Sequence, residues 1–247
     1  MVINYNEAAV SYSTTRNIEP IVYTMLCHIL RPIKSDLILD FGCGTGNYLK
    51  QLSSDFGISS YGVEPSDNMR TIARNKCVEA QIESGDHTHI PFRKGIFNKA
   101  YSIDVIHHIQ CLEEFFRTIY KATSCNACLC ICTESPQQLD KKYWLKYFSS
   151  ISKIDHMRFH RIENIISAGE KEGWINKEIL SADSEITAPI SSDFMKRIEE
   201  KSLSILHLIS HEEYESGFNN MISDYKYQTA LQQREGYTFL RFEKEDT

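Results

Sequence analysis

From residue 36 to residue 134 the chain alternates short apolar runs with stretches whose apolar positions recur every three or four residues. Before this region, Ile18 to Leu30 carries apolar residues at 18, 21, 22, 25, 26, 29 and 30, the spacing of one helix face. The pattern then predicts strand 37–41, helix 46–56, strand 59–63, helix 66–75, a short strand near 78–83, strand 97–103, helix 111–122 and strand 127–133. Such alternation implies an α/β fold, a doubly wound and mostly parallel sheet with helices on both faces. Ligands bind such sheets beyond the carboxyl ends of the strands. Asp40, Glu64, Asp86 and the pair Ile103-Asp104 all fall at those ends.

Past residue 134 the pattern loosens. Helices are expected over Leu139–Phe148 and Arg161–Glu172, the second ended by Gly173, and Trp174–Leu180 reads as a strand. Further helices are expected over Phe194–Ile209 and His211–Ile222, and Gly236–Phe242 has the alternation of a last strand. No repeat, low-complexity tract or clear linker divides the chain, so 1–247 reads as a single domain. Its parts are an N-terminal cap segment (1–35), a ligand-binding core (36–134) and a substrate-side region (135–247), with the helices inside 185–234 as an insertion or lid.

The first βα unit carries the most specific chemistry. In Leu37-Ile38-Leu39-Asp40-Phe41-Gly42-Cys43-Gly44-Thr45-Gly46-Asn47, a buried-strand pattern breaks into glycines at 42, 44 and 46. Glycine allows a sharp turn and lets a ligand come close to bare backbone. A pyrophosphate-binding dinucleotide loop requires a third glycine where Asn47 stands. Asp40, just before the turn, suits a cationic amino-acid ligand better than a pyrophosphate. Glu64 closes the next apolar run at the distance where a ribose-binding carboxylate is expected.

Composition narrows the reading. Hydrophobic content of 42% and charged content of 24% are those of an ordinary globular protein. No apolar run approaches the roughly 20 residues of a membrane span, and the first residues lack a signal peptide's basic and apolar regions, so a cytoplasmic location is expected. The formal charge of −6 argues against a nucleic-acid partner and for a small-molecule substrate. Of the eight cysteines, Cys128, Cys130 and Cys132 alternate along one run. They read as one face of a core strand rather than a metal site, and no metal ligands are assigned.

Four segments in order, Leu39–Gly46, Gly62–Met69, Gly85–Phe92 and Phe97–Ile109, resemble the motifs of class I S-adenosylmethionine-dependent methyltransferases. The likeness is to the small-molecule group that includes the ubiquinone and menaquinone methyltransferases, and Tyr5 to Arg16 resembles that group's leading segment. It implies a Rossmann-like seven-stranded sheet with an antiparallel last strand. S-adenosyl-L-methionine is the implied cofactor and S-adenosyl-L-homocysteine the product. The methyl acceptor would be an O, N or C atom. By the same resemblance Gly42, Cys43, Gly44 and Gly46 pack on the cofactor, Asp40 lies near its ammonium and Glu64, before Pro65, takes the ribose hydroxyls. Met69 packs on the adenine, Gly85, Asp86 and His87 hold its edge, and Ile103 and Asp104 lie under the methionine part. Tyr12 and Arg16 close over the cofactor, with Tyr12 also a candidate for catalysis.

His107 and His108 are candidates for acid–base work and His107 also for cofactor contact, because imidazole titrates near neutral pH. Adjacent residues of a strand face opposite ways, which would leave at most one of them in the site. His156, Arg158 and His160 read as a polar loop that could face the substrate. Where the family has a proline-glycine-glycine turn after helix 111–122, this chain has Thr123-Ser124-Cys125-Asn126-Ala127, and Asn126 tolerates left-handed geometry. The remaining alternatives are an RNA-modifying methyltransferase and an inactive cofactor-binding regulator.

Overall fold

The computed structural model describes residues 17–245. The strands are β1 (Leu37–Phe41), β2 (Ser59–Val63), β3 (Gln81–Glu83), β4 (Phe97–Ile103), β5 (Thr123–Thr133), β6 (Trp174–Ala188) and β7 (Leu231–Lys244). They form one sheet in the order β3-β2-β1-β4-β5-β7-β6. All pairings among β1 to β5 are parallel, and β7 runs against both β5 and β6. The expected doubly wound sheet with a reversed last strand is therefore present, and β1, β2 and β4 have the expected bounds.

The helices are α1 (Pro20–Leu30), α2 (Asn47–Phe56), α3 (Asp67–Lys76), α4 (Leu112–Ala122), α5 (Pro136–Leu139), α6 (Ser150–Arg158), α7 (Ile162–Lys171), α8 (Ser192–Glu199) and α9 (His211–Lys226). Burial on both faces explains why the central strands are apolar at consecutive positions. Leu129 and Ile131 of β5 pack on one side with Phe115, Phe116 and Ile119 of α4 and Ile165 of α7. Cys130 and Cys132 pack on the other with Val22, Leu26 and Ile29 of α1 and Leu52 of α2. Both thiols are fully buried core side chains. Among the described residues no helix is long and apolar enough to cross a membrane.

Differences from the expected bounds have local causes. Strand β5 begins four residues early through a bulge, in which Thr123 pairs with Phe97 and Cys128 with Lys99. Asn126, at φ +58°, supplies the left-handed residue of that bulge. The helix expected over 139–148 is instead α5 and a 3₁₀ turn, Tyr143–Tyr147. Gln138 completes a capping box with Ser135 and is also bonded to Asp183 and Thr238, so the short helix is fixed by tertiary contacts. The stretch 194–209 splits at Lys201, whose φ of +48° ends α8 before the 3₁₀ turn Ser204–His207. The polar stretch around His156 is helix α6, not a loop. Strand β6 continues to Ala188, paired with β7 from Asp183↔Gly236 to Ala188↔Leu231. That extension is mostly exposed and carries no burial pattern to read.

The helices inserted between β6 and β7 have their own apolar cluster. Phe194, Ile198, Tyr214 and Met221 pack there against Trp144, Phe148 and Ile151. Gly217 of α9 lies where an added Cβ would be 2.3 Å from the Tyr147 carbonyl and 2.5 Å from the Phe148 ring. In an open helix Gly→Ala would gain about 1 kcal/mol. Here the clash reverses the sign, and Gly217→Ala should lower stability by about 1–3 kcal/mol in chemical denaturation. Limited proteolysis of that variant should cut first between residues 189 and 230.

Candidate active site

The loop after β1 is pinned before any ligand arrives. Backbone N–H groups of Gly42 and Cys43 both donate to the Val63 carbonyl, at 2.9 and 3.1 Å, and Gly46 N–H donates to the Cys43 carbonyl at 2.9 Å. Gly42, Gly44 and Gly46 have φ of +77°, +54° and +78°, a region that disfavours side chains. The second and third strand ends are tied in the same way, with Glu64 N–H donating to the Glu83 carbonyl at 3.1 Å.

Glu64 joins these pieces. One carboxylate oxygen accepts from Gly44 N–H at 3.0 Å and the other from Ser66 N–H at 2.9 Å. Ser66 caps α3 by accepting from Met69 N–H. Arg70, one turn on, donates to the Glu64 carbonyl at 2.8 Å. Burial raises the Glu64 pKa, opposed by the two backbone donors and by Arg70. Both oxygens keep acceptor capacity, since a carboxylate offers about four lone-pair sites.

A cavity of about 870 Å³ opens beyond the strand ends, within the usual range of roughly 300–1,000 Å³ for small-molecule sites. Gly42, Gly44, Glu64, Pro65 and Met69 line it on one side, with Gly85, Asp86 and His87 further along. Ile103, Asp104, His107 and His108 form the adjoining wall. Asp86 sits in a turn, where one carboxylate oxygen accepts from Thr88 N–H and Oγ1–H and from His89 N–H. The Thr88 side chain, more than any other group, lowers its pKa. Asp104 leaves β4 at φ +56° and donates its N–H to the Cys132 carbonyl at 3.1 Å.

That left-handed residue ends the strand, and Ile106–His108 form a 3₁₀ turn. Strand alternation therefore does not apply to the two histidines. Both line the cavity, with ring centroids 4.0 Å apart, and His107 also stacks on Phe159 at 4.2 Å. His108 is reached by water from the cavity, yet the surrounding protein and then Arg158 bring its pKa down to about 4. It is neutral at pH 7.

Asp40, Cys43 and Gly46 are not on the cavity wall. Cys43 packs behind the loop with Leu49, Ala73, Cys77 and Ile82. Gly46 backs onto α3, where a Cβ would come within 2.9 Å of Cys77 Sγ. Asp40 is buried beneath the loop and accepts from Tyr101 Oη–H at 2.8 Å. Tyr12 and Arg16 lie outside the described residues.

The far half of the cavity contains residues that the sequence patterns did not single out. Glu134, at the end of β5, is paired with Lys142 at 2.7 Å, and Lys142 lies 3.8 Å from Asp155. Arg158 pairs with Asp155 at 3.3 Å and Arg197 with Glu19 at 3.7 Å. Trp144, Phe194, Glu235 and Tyr237 complete this half. Of the group 156–160, Arg158 and His160 reach the cavity, whereas His156 turns outward to Asp140. Besides the 156–160 stretch, the signal that sequence offered for this half is the position of Glu134 just past an apolar strand.

This arrangement of sheet, glycine loop and strand-end carboxylates defines a class I methyltransferase fold. Residues 39–131 match the family model described as a methyltransferase domain. An uncharacterized methyltransferase of Anoxybacillus flavithermus is 36% identical over 30% of this chain and 34% of its own length. The Homo sapiens protein named probable tRNA methyltransferase 9B is 39% identical over 34% of this chain and 17% of its own. The chain thus spans about a third or less of the length of these relatives. A methyltransferase from an antibiotic biosynthesis pathway of Anabaena variabilis superposes with a TM-score of 0.70 at 20% identity, covering 92% of this chain and 98% of that one. Haemonchus contortus phosphoethanolamine N-methyltransferase 2, solved with S-adenosyl-L-methionine, gives 0.63 at 19% identity, covering 98% and 57%.

Burial raises the Asp40 pKa to about 8, helped by Glu64 and opposed by the Tyr101 hydrogen bond. Between about pH 4 and about 8 the folded chain keeps a proton that the unfolded chain has released. The stability this proton contributes is complete at low pH and is lost as pH rises through about 8. Asp40→Asn should therefore flatten the fall in melting temperature of the ligand-free protein across that window, as measured by calorimetry.

Proposed function

We propose that the chain is an S-adenosylmethionine-dependent methyltransferase acting on a small-molecule acceptor at oxygen, nitrogen or carbon. The observation that carries this reading is the Glu64 carboxylate, held between the glycine loop and the α3 N-terminus on the wall of the cavity. The residues fit the cofactor. A buried carboxylate with lone pairs to spare suits two ribose hydroxyls, and charge-assisted hydrogen bonds of that kind are the strong ones. Bare backbone at Gly42 and Gly44 admits a ligand closely, and Met69, 3% exposed, gives the adenine an apolar surface.

When bound, S-adenosylmethionine supplies an activated methyl group on a positive sulfur. In this reading Asp86 and His87 meet the adenine edge, and Ile103 and Asp104 border the methionine part. Asp40, Cys43 and Gly46 act from behind by fixing the loop. Tyr12 and Arg16 keep their proposed role of closing over the cofactor. His107 and His108 face the acceptor, and His108, being neutral, presents a lone pair to a proton on the nucleophile. Water exclusion falls to the helices between β6 and β7, which this reading treats as a lid.

RNA modification has less support, because the cavity is recessed and its wall is rich in carboxylates. Phosphate contacts draw largely on lysine and arginine.

Isothermal titration should show S-adenosylmethionine binding to the purified chain; absence of binding would remove this reading. Glu64→Ala should weaken that binding by about 100-fold and Asp86→Ala by about 10-fold, one lost charged partner being worth roughly 1.4–3 kcal/mol. A cell-extract screen with labelled cofactor, read by mass spectrometry of the labelled product, then identifies the acceptor.

A further inference from the structure

The acceptor half of the cavity has an unusual balance of charge for a buried wall. Among the described residues four carboxylates border it: Glu19, Glu134, Asp155 and Glu235. Its Lys and Arg residues are Lys142, Arg158 and Arg197, so fixed charge there sums to −1 when all are ionised, four minus three. Each cation already has a carboxylate within 4 Å. Lys142 has Glu134 and Asp155, Arg158 has Asp155, and Arg197 has Glu19. Among the described residues a buried anion arriving here would meet no uncommitted cation and several like charges, which is costly in a low-dielectric site.

An independent observation concerns how this wall already treats an ammonium group. Lys142 Nζ is held by Glu134 at 2.7 Å and lies 5.7 Å from the Trp144 ring and 5.8 Å from the Phe159 ring. Carboxylate on one side and π faces on the other is the environment that binds alkylammonium ions. Trp144 and Phe159 also border the cavity, as do Phe194 and Tyr237. Glu235, water-accessible inside the cavity, makes no ion pair among the described residues. Surrounding protein and then Glu19 raise its pKa, and burial brings that of Glu134 up to about 7. A further cation beside either carboxylate would relieve it.

We propose that the methyl acceptor carries a protonated amine, received as an ammonium group by Glu134 and Glu235 against the aromatic wall of Trp144 and Tyr237. This rests on the methyltransferase reading above and names the substrate class for it. The selectivity comes from the wall's net charge: an ammonium head is attracted, while carboxylate and phosphate heads of the same size are repelled.

The test uses the full chain saturated with S-adenosylhomocysteine and three probes with one alkyl chain, n-butylammonium, butyrate and butyl phosphate. Calorimetric titration should give millimolar binding of butylammonium, with the two anions at least about tenfold weaker, a difference of roughly 1.4 kcal/mol. Glu134→Gln should weaken butylammonium about tenfold while leaving S-adenosylhomocysteine affinity unchanged. Should that variant not fold, Glu235→Gln, within β7 and with no ion pair among the described residues to lose, makes the same measurement. Preference for either anion, equal affinity for all three heads, or no binding of butylammonium overturns the proposal. Retention of full ammonium affinity in the carboxamide variant does so too. Failure of S-adenosylhomocysteine itself to bind overturns the methyltransferase reading instead, so the two failures are separable.

Discussion

Everything on the strand-end side of this molecule depends on one carboxylate that cannot leave its place. Glu64 ends β2, and its two oxygens receive N–H groups from Gly44 and Ser66. A buried carboxylate without such donors would be expensive to ionise. With them, the glycine loop, the second strand and the start of α3 become one rigid corner. The Arg70 guanidinium reinforces that corner from behind by bonding the Glu64 and Pro65 carbonyls. Preorganisation of this kind means the loop need not be ordered when a ligand binds, and that entropy is not lost at binding.

Below the corner the sheet makes a second, less comfortable arrangement. Asp40 sits under the glycines with a tyrosine hydroxyl as its hydrogen-bond partner. Burial, working against that hydrogen bond, holds its proton into the neutral range. The same pressure acts at the far end of the cavity on Glu134, where Lys142 opposes it. A site that buries this many acids is stable without ligand only to the extent that protons or internal cations offset them. Stability and ligand charge are thereby coupled through the same side chains.

The cofactor-side half was legible in the sequence because short-range rules govern it. Apolar runs buried on both faces mark β1, β2 and β4, and alternate glycines with an acid at the next strand end mark the loop. Asn126 could be read as left-handed from its own chemistry. Legibility failed where tertiary contacts outweighed local pattern. Asp104 in left-handed geometry turned a predicted strand face into a 3₁₀ turn and brought both histidines to the cavity. Gln138, tied to Asp183 and Thr238 from distant strands, stopped α5 after one turn. Asp155 and Arg158 stand three residues apart on α6, but Lys142, which completes their network, lies in a separate segment that no local pattern links to them.

The insertion between β6 and β7 has a geometric property with a wider meaning. Its two ends, Ala188 and Leu231, are directly paired across an antiparallel ladder. Chain leaves the sheet and returns to it at adjacent points, so the cost of closing the excursion changes only slowly with its length. Segments could be lengthened, shortened or exchanged between these two residues without altering strand register or the glycine corner at the opposite side of the sheet. Such a joint lets a lineage retain one cofactor machine while trying many acceptor chambers, and it places the boundary between inherited and negotiable sequence at a single rung.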